Sequence, residues 1–139
     1  MRAVIDPNVL VSAVISPTGP PRLLVIAWAE GRFELIMSPV LLEELREVLA
    51  RPKFRQWVSA ETASDYVDGL EDSAIVMDDP PPQTGVSPDP DDDYLIFLCR
   101  VAGADFLVSG DRHLTELDIA DPPVLTPRQF LAQLSQPEE

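Results

Sequence analysis

Short apolar runs alternate with helix-length segments along this chain, and few folds accept that pattern. "AVID" (3–6), "FELIMS" (33–38), "AIVM" (74–77), "DFLVS" (105–109) and "PVLT" (123–126) read as strands. Between them, "PPRLLVIAWAEGRF" opens on Pro20 and Pro21 and meets Gly31 just past its end, as helices do. Ser38 and Pro39 start a second helix that runs through "VLLEELREVLA" to Pro52. "AETASDYVDGLEDSA" reads as a third helix, the segment from Asp89 and Pro90 to Gly103 as a fourth, "DRHLTEL" as a short one and "PRQFLAQL" as the last. "VLVSAVI" (9–15) is too short to assign, and "DDPPPQTGVSPDP" reads as a loop. Strand–helix alternation predicts a single-domain α/β fold, a mostly parallel sheet covered by helices on both faces. In such sheets the functional crevice lies at the carboxyl ends of the strands.

Asp6 ends the first strand and Asp111 follows the strand 105–109, so both fall on that edge. In the helix after Ser38 the apolar stripe is Leu41, Leu42, Leu45, Val48 and Leu49. Glu43 and Glu47 lie nearly opposite it, whereas Glu44 lies on its border and can lean into a cleft. "DPDDDYLIFLC" crowds acids at a helix start. Capping and dipole complementarity, worth roughly 0.3 to 1 kcal/mol each, account for some of them. They do not require so many, because two charges about 4 Å apart repel by roughly 4 kcal/mol at an effective dielectric of 20. Asp92 shares a face with Leu95, Ile96 and Cys99 and is expected to reach inward; Asp93 is expected to turn away, and periodicity does not exclude Asp91. Asp6, Glu44, Asp92 and Asp111 are therefore expected to gather at one edge. Oxygen-only ligands suit Mg²⁺ or Mn²⁺, which can activate water for phosphoryl displacement.

Composition narrows the chemistry. The chain has 139 residues and a formal net charge of −14, which opposes strong binding of nucleic acid by the bare protein. Cys99 is the single cysteine, so there is no internal disulfide and no cysteine-built zinc site. A two-histidine ribonuclease mechanism is excluded because His113 stands alone. No nucleophile-elbow or P-loop motif occurs. "DPDDDY" starts like a calcium loop but has Tyr94 and Arg100 where the glycine and glutamate belong. No apolar run approaches the roughly 20 residues that span a bilayer, and the N-terminus does not read as a signal peptide, so a cytoplasmic protein is expected.

Four stretches in order resemble the PIN domain family: "AVIDPNVLVSA", "MSPVLLEELREVLARPKF", and the two halves of "DPDDDYLIFLCRVAGADFLVSGDRHL". The similarity is to the bacterial subgroup of VapC-like toxins of toxin–antitoxin pairs. It implies a PIN-like domain over residues 1–134 with a flexible tail over 135–139. The implied architecture is a three-layer α/β/α sandwich with Rossmann-like topology and strand order 3-2-1-4-5. It further implies a ribonuclease dependent on Mg²⁺ or Mn²⁺, a homodimer, and inhibition by a cognate antitoxin. Carried over residue by residue, the catalytic and metal-holding acids are Asp6, Glu44, Asp92 and Asp111, supported by Asn8 and Ser109. Pro7 stands where the family usually has threonine, and this is expected to weaken the positioning of Asp6. For RNA contact the candidates are Arg46, Arg51, Lys53 and Arg55, and Arg112 beside Asp111. Trp28, Trp57, Phe33 and Phe54 are expected in the core or a dimer contact. Two other readings stay open: a silent protein-binding module, and a phosphatase or phosphotransfer domain with a reactive Asp6.

Overall fold

The computed structural model describes residues 1–81, 89–117 and 121–135. Its strands are β1 (Arg2–Ile5), β2 (Glu34–Met37), β3 (Ile75–Val76), β4 (Phe106–Val108) and β5 (Val124–Leu125). Its helices are α1 (Pro7–Ile15), α2 (Pro20–Ala29), α3 (Pro39–Leu49), α4 (Ala60–Ser73), α5 (Pro90–Ala102), α6 (Arg112–Thr115) and α7 (Pro127–Leu134). The five strands form one sheet in the order β3-β2-β1-β4-β5. Every pairing is parallel, with Ala3 opposite both Leu35 and Phe106. The fold class and strand order agree with the sequence expectation.

The central strands carry little but apolar side chains because both faces of the sheet are covered. Val4, Ile36, Leu107 and Val108 are fully buried. Phe130 of α7 closes the core beneath them, with its ring edge-on to Phe33 at a centroid distance of 5.1 Å. Phe33 and Phe54 are buried and Trp28 is partly buried against the core, but Trp57 is 55% exposed.

Local chemistry sets the helix ends. "VLVSAVI" is helical because Asp6 caps it and Pro7 fills its first position, two signals that lie outside the apolar run itself. Ser38 caps α3 by accepting from the Leu41 N–H, Asp89 caps α5 by accepting from the Asp91 N–H, and Thr126 and Gln129 form a reciprocal capping box on α7. Gly103 ends α5 in the left-handed conformation at φ 65°, which a Cβ disfavours. Pro52 does not merely stop α3: it starts a short 3-10 turn, Pro52–Gln56.

The proline-rich loop expected before α5 falls largely on residues 82–88, and the expected tail on 136–139, both outside the described residues. Among the described residues no single helix is long and apolar enough to cross a membrane.

Candidate functional site

Parallel pairing of β1 with β4 brings Asp6 and Ser109 side by side at the carboxyl edge of the sheet. The Asp6 N–H donates to the Val108 carbonyl at 2.9 Å, which extends the ladder one residue past β1. Asp6 is held at both carboxylate oxygens: Oδ1 accepts from the Asn8 N–H at 3.0 Å and Oδ2 from the Ser109 hydroxyl at 2.8 Å. Ser109 Oγ in turn accepts from the Asp111 N–H at 3.0 Å, which orients its proton toward Asp6. One hydroxyl thus ties the two acids together. Asp111 caps α6, its Oδ1 accepting from the His113 N–H at 2.8 Å.

These residues open onto a cavity of about 260 Å³ lined by Asp6, Pro7, Asn8, Val40, Glu44, Asp89, Asp91, Asp92, Tyr94, Leu95 and Asp111. All four acids proposed from the sequence lie around it, joined by Asp89 and Asp91. Asp6 and Asp92 are buried, whereas Glu44 and Asp91 are exposed on its margin.

Such an enclosure resists ionisation. Burial raises the Asp6 carboxyl above its usual range; the bonds from Asn8 and Ser109 oppose the rise, and Asp111 adds to it. Glu44 is raised first by partial desolvation of its carboxyl at the pocket margin, then by repulsion from Asp91, Asp6 and Glu47. Asp92 is pushed up to about 6, first by burial and then by Asp89, Asp111, Asp6 and Asp91. The ion pairs of Arg2, Arg46 and Arg112 go to Glu34, Asp68, Glu71 and Glu116, all of which lie outside this pocket. Among the described residues, no three carboxylate, imidazole or thiol groups converge closely enough to hold one ion. The donor set nevertheless fits a hard divalent cation: it is all oxygen, buried at two positions and destabilised by its own charge.

One expectation changes, and two others gain detail. Asp93 does not turn away from the protein; it is buried, 1% exposed, because the first turn of α5 is enclosed on more than one side. Asn8 meets Asp6 through its backbone N–H, while the residue itself is exposed. Pro7 occupies the first helical position, where an N–H has no partner within the helix, and the cap bond to Asp6 comes from the Asn8 N–H.

The basic candidates lie elsewhere. None of Arg46, Arg51, Lys53, Arg55 and Arg112 lines the acidic pocket. Arg46 pairs with Asp68 of α4 at 2.7 Å and reaches Glu71 at 3.9 Å. The Arg55 guanidinium donates to the Leu49 carbonyl at the end of α3. Arg112 pairs with Glu116 one turn on, and Lys53 sits over the Phe54 ring, 5.1 Å from its centroid.

Tyr94 and Asp79 escaped the sequence reading. Tyr94 lines the pocket and bonds both Ser38 and Asp79. Asp79 also accepts from the Val40 N–H at 3.2 Å. No local pattern announces these bonds, because their partners are 15 and 56 residues away from Tyr94.

Comparison with known proteins supports the same architecture. The chain is 28% identical over 117 residues to the uncharacterized protein MJ1680 of Methanocaldococcus jannaschii, covering 84% of this chain and 75% of that protein. Its fold is similar to PAE2754 from Pyrobaculum aerophilum, with a TM-score of 0.65 and 16% identity over 97% of this chain and 90% of that one. It is also similar to VapBC2 from Rickettsia felis, whose crystal structure is bound to a DNA fragment from their promoter. There the TM-score is 0.64 and the identity 14%, over 91% of this chain and 98% of that one. The PIN domain family model matches residues 2–113, from the first strand through Asp111, and the chain therefore belongs to the PIN domain family.

Proposed function

We propose that this chain is a divalent-metal-dependent endoribonuclease, the toxin of a toxin–antitoxin pair, formed by a single PIN-like domain over residues 1–134. The observation that carries the reading is one pocket at the sheet edge lined by acids from four separate parts of the chain. Family membership supports it, since PIN domains are generally nucleases and typically use divalent metals. The similarity to VapBC2 supports the antitoxin partner.

In this reading Asp6, Asp92 and Asp111 would hold Mg²⁺ or Mn²⁺ directly or through water, with Glu44 at the rim contacting the ion or orienting the attacking water. A bound divalent cation supplies charge that activates water and offsets the charge developing on the phosphate. Ser109 and the Asn8 N–H fix Asp6, so its orientation is set before any ligand arrives. Glu44, on the margin of the pocket, is placed to accept a hydrogen bond from that water. The cation also lowers the barrier that a net charge of −14 sets against a polyanionic substrate. Contact of RNA with Arg46, Arg51, Lys53, Arg55 and Arg112, pairing of two copies of the chain, and a cytoplasmic location belong to the same proposal.

The test is cleavage of single-stranded RNA by the purified protein in Mn²⁺. Cleavage that EDTA abolishes and that Asp6→Asn reduces at least a hundredfold is expected. Metal-independent cleavage, or none, contradicts the reading. No cleavage together with capture of a protein partner would instead identify a silent binding module. A phosphoryl-group analogue retained on Asp6 would identify a phosphotransfer domain.

A further inference from the structure

The pocket acids on α3 and α5 repel one another, yet the first turns of these helices are tied together. Glu44 of α3 and Asp91 of α5 are carboxylates lining the same cavity, so like charge pushes the two helices apart across it. A chain of three hydrogen-bonding groups opposes it beside the pocket. The carboxylate of Asp79, which follows β3, can only accept, so the Tyr94 hydroxyl of α5 donates to it. The Ser38 hydroxyl, 2.5 Å from the Tyr94 oxygen, therefore donates to Tyr94. Ser38 Oγ also accepts from the Leu41 N–H at 3.3 Å, and Asp79 from the Val40 N–H at 3.2 Å. Both ends of the chain thus grip the start of α3, and its middle belongs to α5.

We propose that Tyr94, with Asp79 and Ser38, is a positioning residue that sets the distance between Glu44 and the Asp91–Asp92 turn, and thereby the pocket's affinity for a divalent cation. Glu44 lies about 7.5 Å along the helix from Pro39, at about 1.5 Å per residue. A shift of the α3 start is therefore carried to it by a rigid element. Tyr94 is two residues past Asp92, within the same turn. The inference rests on the metal-dependent reading of the site but makes a separate claim about it.

Mn²⁺ affinity, read by electron paramagnetic resonance on the full chain, tests it. Tyr94→Phe removes one oxygen and no charge, so a lower affinity cannot come from lost Coulombic attraction. We expect about a tenfold weaker Kd in Tyr94→Phe, with a metal-free melting temperature within about 5 °C of wild type. In an Asp79→Asn background the same change should weaken binding by less than about threefold, because the two groups act as one unit. The charge lost at Asp79 cancels in that comparison. Ser38→Gly breaks the chain from its other end while a glycine still serves as an N-cap. It should reproduce the loss, and it replaces Tyr94→Phe if that variant does not fold. Wild-type affinity in Tyr94→Phe or Ser38→Gly, or additive losses in the Asp79→Asn background, overturn the inference alone. A wild-type protein that takes up no Mn²⁺ at millimolar concentration overturns the metal-dependent reading, and the inference with it.

Discussion

Replacing Asp92 with asparagine separates what the pocket costs from what it does. Asp92 is buried, with Asp89, Asp111, Asp6 and Asp91 all acting against its charge. Asp92→Asn relieves that repulsion at nearly constant volume. The metal-free variant is therefore expected to melt about 3 °C higher than wild type, while losing at least a hundredfold in RNA cleavage. A calorimetric scan and a cleavage assay on one preparation check both. The pH dependence has a definite sign. Asp92 releases its proton near 3.8 when unfolded and near 6 when folded. Between those values the folded state holds more protons, so stability falls as pH rises through the window and stays lower above it. Asp6 and Glu44 shift in the same direction. Urea midpoints of metal-free protein at pH 4, 5, 6 and 7 should decline, and the decline should be shallower in Asp92→Asn. At this scale the sequence was legible where an acid ends a strand, as with Asp6 and Asp111. It was not legible where neighbouring elements enclose a residue, as with Asp93, since helical periodicity describes one buried face and α5 has more than one.

At the scale of elements, the caps explain why the helices were readable and why α1 was not. Ser38, Asp89 and Thr126 precede prolines at the first helical position, a signal contained in two adjacent residues. Asp6 and Pro7 make the same signal, but Asp6 also reads as the end of a strand and serves both elements. This double role bears on what Pro7 does at the site. The Asn8 N–H, not the one that proline lacks, bonds Asp6. Pro7→Thr, which restores the residue usual in the family, should therefore change Mn²⁺ affinity by less than about threefold and preserve the helical circular dichroism of α1. A tenfold gain in affinity would show that the missing hydroxyl matters. The basic cluster beyond α3 was visible as composition, but its partners were not. Arg46 directs its charge to α4 and Arg55, in the 3-10 turn, to the end of the preceding helix α3, because Asp68 and Leu49 lie within reach only once the chain has turned at Pro52.

At the scale of the whole molecule, strict alternation of strand and helix was enough to foresee a parallel sheet. The adjacency of β1 and β4 followed from the resemblance, not from the pattern. That adjacency makes the pocket, since it sets Asp6 beside Ser109 across 103 residues of sequence. The bonds among Ser38, Asp79 and Tyr94 are equally long-range, and nothing local encodes them. With 24 acidic residues against 10 basic ones, acids are abundant over the whole molecule, so affinity for a cation does not by itself locate a site. The most direct measurement is therefore a map: amide spectra of the ¹⁵N-labelled protein with substoichiometric Mn²⁺, whose unpaired electrons broaden nearby resonances. Broadening centred on the amides of Asp6, Asn8, Glu44, Asp92 and Asp111, and removed by Asp6→Asn, is the expected result. Broadening centred on Asp68 and Glu71 of α4, or spread evenly over the surface, would contradict the account.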